Sequence, residues 1–271
     1  APWREREDPA DPARSGHESG AEDPPIAAPG PGNAEQQGRF VTELREVRSA
    51  ALLDALVVAL AALLAPFALR AIPLGALPAA YRLSASVVLL GILLGGVAFA
   101  RARRTGEGRL AAFGLTSDRP LLGEVVLGVG IAAGILGANG LLLLLFSRLQ
   151  PQAFAQASEA RESSIEAIAA VPLPLALGTS LFAGVYEELV FRGFLLGRLR
   201  VALPGKTAFV VIGQAFVFAV GHGWQGPIGV VQSFVVGLLF GALAAWRGVR
   251  VGIAAHATID AASFVLLHTL R

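Results

Sequence analysis

The residues best suited to chemistry lie inside apolar sequence in the C-terminal half of the chain. Two adjacent carboxylates, Glu187 and Glu188, are followed by Arg192 in a stretch that is apolar on both sides. Glu188 and Arg192 are four residues apart, so on a helix they share a face and can pair. Glu187 points about 100° away from Glu188 on the same helix. The spacing therefore predicts a structural Glu188–Arg192 pair and leaves Glu187 available for another partner.

Two histidines stand in a similar setting further along the chain. His222 ends an apolar segment just before a Gly-rich turn, and Phe218 lies one helical turn earlier. His256 and Asp260 are four residues apart, so on a helix the carboxylate can orient the imidazole and balance its charge. A single histidine in such a position more often forms a capping or structural hydrogen bond than acts in catalysis. Each of these patterns is weak by itself.

Taken together, these groups have the composition of a hydrolytic site. Hydrolysis of an amide needs a positioned base, a donor aimed at the developing negative charge and a proton source for the leaving amine. A charged side chain in the middle of a bilayer costs about 2.5–3.5 kcal/mol on insertion scales and usually faces the interior of the bundle. Ionisable groups gathered from three apolar segments are therefore more typical of a functional site than of a scaffold.

The elements that must position these residues are membrane helices. Of the 271 residues, 54% are hydrophobic and 15% are charged, well below the quarter that is usual in soluble domains. The chain has no cysteine, which excludes disulfides and thiolate metal sites. About seven segments are apolar enough to span a bilayer, the fifth of them short. They cover residues 49–69, 84–100, 121–146, 173–199, 207–222, 228–246 and 251–270. The composition thus predicts an all-α, polytopic transmembrane helical bundle.

The segments divide into regions of different character. Residues 1–48 are rich in proline and charge, which predicts a disordered leader as far as about Phe40 and a helix from there. Residues 49–146 are predicted to form N-terminal transmembrane helices, and residues 173–270 form a second group of apolar segments that contains the ionisable residues. Glycine pairs four residues apart are expected to pack helices closely, and short Gly-containing turns predict that the last three helices are antiparallel neighbours. These pairs are Gly91 and Gly95, Gly130 and Gly134, Gly193 and Gly197, and Gly237 and Gly241.

Arginine placement predicts the orientation of the chain in the membrane. Basic residues crowd the leader end and every second connection, so the positive-inside rule places the N-terminus in the cytoplasm of a multi-pass cell-membrane protein. The arginines lie at the ends of apolar segments and form no continuous patch, which argues against a nucleic-acid partner. Counted at 1.5 Å per residue from the nearest basic residue in a loop, Glu187, His256 and His222 lie at depths of about 16, 9 and 24 Å. Only tilted or sunken helices would bring them together.

The three motifs together resemble the CPBP family of CAAX-processing and bacteriocin-processing (Abi) intramembrane proteases. The family pattern is Glu-Glu-x-x-x-Arg on one helix, Phe-x-x-x-His on the next, and His-x-x-x-Asn or His-x-x-x-Asp later. This chain supplies them in that order as residues 187–192, 218–222 and 256–260. The resemblance covers residues 173–270. It implies an all-helical membrane core in which polar groups line a cavity.

The resemblance also implies roles for the individual side chains. Glu187 would be the general base that activates water, assisted by His222. His256 and Asp260 would stabilise the oxyanion, and Arg192 would hold the second glutamate, Glu188, in place. Where the family has Asn at the last position, its amide can donate a hydrogen bond to an oxyanion. An aspartate cannot donate unless it is protonated, so Asp260 is expected instead to orient His256 or to bind a metal.

The cofactor and the activity both have alternatives at this stage. Glu187, His222, His256 and Asp260 are suitable ligands for a divalent ion such as zinc, and a glutamate mechanism without metal is equally open. The sequence favours an intramembrane endopeptidase that acts on peptides or proteins in the lipid bilayer. The main alternative is a non-catalytic membrane scaffold or a bacteriocin-immunity-type binding protein. A transporter ranks third, because no inverted repeat is visible.

Overall fold

The computed structural model describes residues 34–159 and 162–269, and within these ranges the regular structure is entirely helical. Helix α1 begins at Ala34, so part of the leader that was predicted to be disordered up to Phe40 is helical. The disorder predicted for residues 1–33 lies outside the described residues. Contacts divide the chain into two units at Leu44, and the residues of the predicted site all belong to the second unit, which begins at Arg45.

The helices follow one another with short connections. Their bounds are α1 Ala34–Arg70, α2 Ala79–Ala102, α3 Arg109–Ala112, α4 Leu121–Leu149, α5 Pro151–Glu159, α6 Glu162–Ala169, α7 Leu173–Glu187, α8 Leu196–Ala202, α9 Thr207–Gly221, α10 Gly226–Arg247 and α11 Val249–Thr269. A π-helical segment, Glu188–Leu195, joins α7 to α8 without a break. Short 3₁₀ turns at Leu74–Ala76 and Gly223–Gln225 precede α2 and α10.

Six helices in the described part of the chain are long and apolar enough to cross a membrane. Five of these are α1, α2, α4, α10 and α11, and the sixth is the continuous run Leu173–Ala202. The remaining apolar helix, α9, has 15 residues and is about 22 Å long, whereas a bilayer core is about 30 Å thick. The all-helical class and the multi-pass membrane character predicted from composition are confirmed, and the fifth predicted span is short, as expected.

The last three helices pack against one another to different extents. Gly248, at φ 90°, makes the tight turn between α10 and α11, a backbone conformation that residues with a side chain rarely adopt. Helices α9 and α10 pack along each other as predicted. Helix α11 instead packs mainly against α4 and α7 and touches α10 much less. The prediction that α9, α10 and α11 are antiparallel neighbours therefore holds for α9 and α10, and α10 and α11 contact each other to a smaller extent.

Two glycines explain where α11 packs. A Cβ on Gly184 of α7 would lie 2.7 Å from the backbone nitrogen of Ala257. A Cβ on Gly128 of α4 would lie 2.6 Å from the Cβ of Ala254. Small residues let helix backbones approach this closely where lipid gives no hydrophobic drive for association. The predicted pair Gly130 and Gly134 faces open space, so α4 uses a different glycine from those singled out in the sequence.

Replacing Gly184 with Ala is expected to destabilise the protein by about 1–3 kcal/mol, because the new methyl group meets backbone atoms that cannot move aside. The measurement is thermal unfolding of the purified protein in detergent micelles. Gly178→Ala is the matched control, since a Cβ on Gly178, which lies on the same helix, would meet nothing within 4 Å. Equal unfolding temperatures for the two variants would contradict the close α7–α11 crossing.

Three carboxylates outside the predicted site pair with arginines on other elements. The pairs are Asp54 with Arg101, Glu107 with Arg198, and Glu124 with Arg250. The guanidinium of Arg250 also donates to the backbone carbonyl of Leu115, at 2.8 Å from its Nε. These contacts attach the connection between α2 and α4 to α8 and α11. They give Asp54 and Glu124 a structural role.

Candidate functional site

The two adjacent glutamates lie where the helix changes its hydrogen-bonding pattern. Glu187 is the last residue of α7, and Glu188 begins the π-helical segment. The wider pattern is visible at its far end, where the Leu196 amide donates to the carbonyl of Phe191, five residues back. Such insertions in α-helices are rare and often occur at functional sites. No pattern in the sequence predicted this segment.

The predicted pair between Glu188 and Arg192 is present in the structure. Arg192 Nη1 lies 3.0 Å from Glu188 Oε1, and both side chains are completely buried. The same carboxylate oxygen lies 2.9 Å from Nδ1 of His256. Helix α11 leaves room for this carboxylate at Gly252, where a Cβ would be 2.8 Å from Glu188 Oε2. Glu188 thus connects an arginine on its own helix to a histidine on α11.

The same contact shows which carboxylate hydrogen-bonds His256, while the role predicted for Asp260, to orient His256 or to bind a metal, stays a prediction. Asp260 Oδ2 lies 3.7 Å from His256 Nε2, which is within ion-pair range but too long for a hydrogen bond. The imidazole instead donates a hydrogen bond from Nδ1, the opposite ring nitrogen, to the carboxylate of Glu188. Asp260 was expected to orient His256 because they share a helical face. That proximity is real, but a carboxylate 68 residues away in sequence holds the ring.

Glu187 divides its two oxygens between different surroundings. Its Oε1 accepts a hydrogen bond of 2.9 Å from the hydroxyl of Tyr186. Its Oε2 is buried, has no hydrogen-bond partner among the described residues, and lies 3.8 Å from Nε2 of His256. A separation beyond 3.5 Å between two polar atoms is one that a bridging water can span. The free oxygen of Glu187 and the free nitrogen of His256 therefore face each other across a gap of that size.

One side of the cluster is closed and the other is open. The side chains of Glu188 and Arg192 are 0% exposed, whereas that of Asp260 is 34% exposed. His256 and Glu187 lie between these extremes, at 9% and 10%. The cluster is therefore accessible from the side of Asp260. The ion pair of Glu188 and Arg192 forms the closed base.

Two aromatic rings form the wall next to this base. The guanidinium carbon of Arg192 lies 4.2 Å from the ring centroid of Phe218 and 5.5 Å from that of Phe240. The imidazole of His256 stacks on Phe240 with a centroid distance of 5.3 Å. A cation over an aromatic face is attracted by the ring quadrupole, more strongly when desolvated. Phe218 alone would be interpreted as a core residue, yet it contacts the buried arginine.

His222 reaches the cluster indirectly. Its Nδ1 is 2.9 Å from the carbonyl oxygen of Phe218, and the two rings are 4.4 Å apart. Among the described residues it forms no hydrogen bond with Glu187, His256 or Asp260. It is within electrostatic range of the Asp260 carboxylate. Five of the six predicted site residues thus make direct contacts, and His222 joins them through the ring and carbonyl of Phe218.

The different depths that upright helices would give these residues are not observed. Glu187 and His256, counted at about 16 and 9 Å on upright helices, lie 3.8 Å apart at their polar atoms. Helices α7 and α11 cross closely at Gly184, and this crossing brings together the helices that carry Glu187 and His256. Glycine-mediated packing of α7 against α11 therefore accounts for the approach of Glu187 to His256.

The predicted ligand set has the right residue types for a metal ion but not the arrangement. Within residues 34–159 and 162–269, no three His, Asp or Glu side chains are arranged to hold one. His222, one of the four residues proposed as ligands, is turned toward the backbone carbonyl of Phe218. The four residues proposed as ligands from the sequence do not fit a metal site in this arrangement.

The comparison with known protein families bears on this same region. A family described as type II CAAX prenyl endopeptidase Rce1-like matches residues 169–262, the stretch that contains all six groups. Residues 169–262, called the Rce1-like segment below, are similar to this family. This match confirms the resemblance to CPBP proteases that the three motifs indicated. The Rce1-like segment begins at the end of α6 and includes most of α11, so helices α1 to α5 lie outside it. No curated protein and no solved structure matches the chain.

Three residues of the Rce1-like segment shape the site although they belong to none of the sequence motifs. Tyr186 hydrogen-bonds Glu187, Gly252 makes room for Glu188, and Phe240 stacks on His256. The contact of Tyr186 could have been predicted from the sequence, because the hydroxyl of a tyrosine next to two buried carboxylates needs a hydrogen-bond partner. The contacts of Gly252 and Phe240 could not have been predicted, because a glycine and a phenylalanine are ordinary residues in membrane helices.

Proposed function

We propose that this protein is an intramembrane endopeptidase that hydrolyses peptide bonds of membrane-associated peptides or proteins. The observation that carries the proposal is the pair of facing atoms, Glu187 Oε2 and His256 Nε2, 3.8 Å apart inside the Rce1-like segment. A carboxylate with one free oxygen is a general base, and an imidazolium opposite it, protonated on both ring nitrogens, can be a donor to the oxygen that becomes negative. The membrane location and the family both fit this chemistry.

In the proposed reaction Glu187 takes a proton from a water molecule as the water oxygen attacks the substrate carbonyl carbon. The carbonyl π electrons move to oxygen and form a tetrahedral oxyanion, which Nε2 of His256 stabilises by hydrogen bonding when that nitrogen carries a proton. The oxyanion then collapses, the C–N bond breaks, and the leaving amine takes the proton that Glu187 holds. The products are a new carboxyl terminus and a new amine.

The other residues hold these two groups in place. Glu188 accepts from Nδ1 of His256, so the ring presents Nε2 to the gap, and Arg192 in turn holds Glu188. Asp260, at the open side, balances positive charge on His256. The imidazole of His222 is anchored through Nδ1, which leaves Nε2 to assist proton movement. No step requires a metal, in keeping with the poor fit of these residues to a metal site.

The proposal also includes the class of substrate and the orientation of the chain in the membrane. The matched family is described as CAAX prenyl endopeptidases, so a peptide carrying a C-terminal prenylated CAAX sequence is the first substrate to test. Residues 173–270 would form the catalytic core, supported by the N-terminal transmembrane helices of residues 49–146. The N-terminus would be cytoplasmic, because the basic connections lie at that end of the helices.

The proposal is tested by incubating the purified protein in proteoliposomes with farnesylated and unprenylated CAAX peptides in water enriched in ¹⁸O. We expect a cleaved product whose new carboxyl group carries one ¹⁸O atom, detected by mass spectrometry, since water supplies the attacking oxygen. We expect the same product after treatment with EDTA, because the described donors do not form a metal site. Absence of cleavage of every peptide would count against this substrate class, and loss of activity with EDTA would count against the metal-free mechanism.

A further inference from the structure

Tyr186 precedes the proposed base and is bonded to it. Its hydroxyl donates a 2.9 Å hydrogen bond to Oε1 of Glu187, and its side chain is buried. Adjacent residues on a helix point about 100° apart, so this contact requires both side chains to be turned toward each other. A buried tyrosine hydroxyl needs a partner, and here the partner is the group that would take the proton from water.

The ring of Tyr186 is held by a neighbouring helix. It packs against Phe182 with a centroid distance of 5.3 Å. Helix α2 passes both rings at Gly91, where a Cβ would lie 2.8 Å from Cδ1 of Tyr186. The tyrosine thus has no space to rotate toward α2. Its position is set by packing, and the hydroxyl is directed at Glu187 by that packing.

The consequence concerns the two oxygens of Glu187. With Oε1 occupied by the Tyr186 hydroxyl, only Oε2 is left to face Nε2 of His256 at 3.8 Å. Without the hydroxyl, the carboxylate could rotate about its last bond and lose this alignment. Efficient general-base catalysis depends on the base lying within hydrogen-bond reach of the proton that it removes.

We propose that Tyr186 is a positioning residue for catalysis, which holds Glu187 so that its second oxygen faces the water site. This inference rests on the proposed function, in which Glu187 is the base. Tyr186 does not contact the reacting atoms. Its role is exerted through Glu187, and the ring is held ready for it by Phe182 and by the glycine of α2.

The first test is the variant Tyr186→Phe, which removes the hydroxyl and keeps the packed ring. A hydrogen bond to a charged group is strong enough for its loss to lower kcat about tenfold. KM should stay within about twofold, because substrate contacts are untouched. Tyr81→Phe is the matched control, since Tyr81 is the other tyrosine of the chain and is 46% exposed. Equal kcat for the two variants, or a loss of kcat accompanied by a lower unfolding temperature, would overturn the positioning role.

The second test does not depend on activity. The chain has two tyrosines, so protein labelled with ¹³C at the tyrosine Cζ gives two signals, and Tyr81→Phe assigns them. The Tyr186 signal should shift when Glu187 is replaced by Gln, while the Tyr81 signal stays in place. An unchanged Tyr186 signal would overturn the inference.

The two proposals fail in different ways. If Glu187→Gln is inactive but Tyr186→Phe is as active as Tyr81→Phe, the proposed peptidase stands and the positioning role of Tyr186 is wrong. If Glu187→Gln is as active as the unmodified protein, the proposed function of the base is wrong, and the role assigned to Tyr186 is wrong with it.

Discussion

Replacing Glu187 with Gln is expected to lower kcat for peptide cleavage by about 10²–10⁴-fold, the usual contribution of a general base. Glutamine has the same shape and can still accept the hydrogen bond from Tyr186, but it cannot take a proton from water. The side chain is nearly buried, and its Oε2 lies 3.8 Å from Nε2 of His256, so removing the charge weakens this one ion-pair contact while those of His256 with Glu188 and Asp260 stay in place. We therefore expect the unfolding temperature to stay close to that of the unmodified protein.

The appropriate measurement is the initial rate of cleavage in proteoliposomes, together with thermal unfolding of the same preparations. Glu166→Gln is the control, because Glu166 is an exposed carboxylate on α6. Full activity of Glu187→Gln would mean that Glu187 is not the general base of a hydrolytic reaction. That outcome would favour the alternative raised by the sequence, a scaffold or a binding protein that keeps these polar groups for structure.

Replacing Arg192 with Met is expected to destabilise the protein by about 3–5 kcal/mol, the usual effect of leaving a buried charge without its partner. The carboxylate of Glu188 is 0% exposed and would keep only its contact with His256. The guanidinium also contacts the rings of Phe218 and Phe240, and that attraction would be lost as well. The measurement is the free energy of unfolding in mixed detergent micelles.

A control variant and a double variant separate the effect of the buried charge from the effect of side-chain packing. Arg200→Met is the control, since Arg200 is exposed on α8 and a change there should stay within about 0.5 kcal/mol. The double variant Glu188→Gln with Arg192→Met should recover part of the lost stability, because it removes the uncompensated charge. If Arg192→Met and Arg200→Met have the same free energy of unfolding, the buried pair does not stabilise the fold.

The parts of this structure that follow from local sequence could be predicted. Apolar segments longer than about 18 residues define the spans whatever their partners are. The Glu188–Arg192 pair and the approach of His256 to Asp260 follow from the spacing of four residues on a helix. The short length of the fifth span also follows from counting its apolar residues. All of these features depend on one helix at a time.

The parts that depend on two helices could not be predicted in the same way. Glu188 and His256 are far apart in sequence, and no spacing rule connects them. Their contact exists because Gly184 and Gly252 allow α7 and α11 to approach closely, and glycines of this kind are common in every membrane helix. The choice of Gly128 over Gly130 and Gly134 on α4 is another result of how the helices cross. The roles proposed for the six site residues remain predictions.

Helix α9 has a consequence for how the site is supplied with water. At about 22 Å it falls short of a bilayer core of about 30 Å, and a helix that is too short draws the lipid surface toward its end. His222 is the residue at that end. We expect the headgroup layer to dip there and to bring hydration from the aqueous phase down to the level of Phe218. A hydrolase embedded in hydrocarbon would then obtain its second substrate through a local thinning of the membrane, without any channel through the bundle.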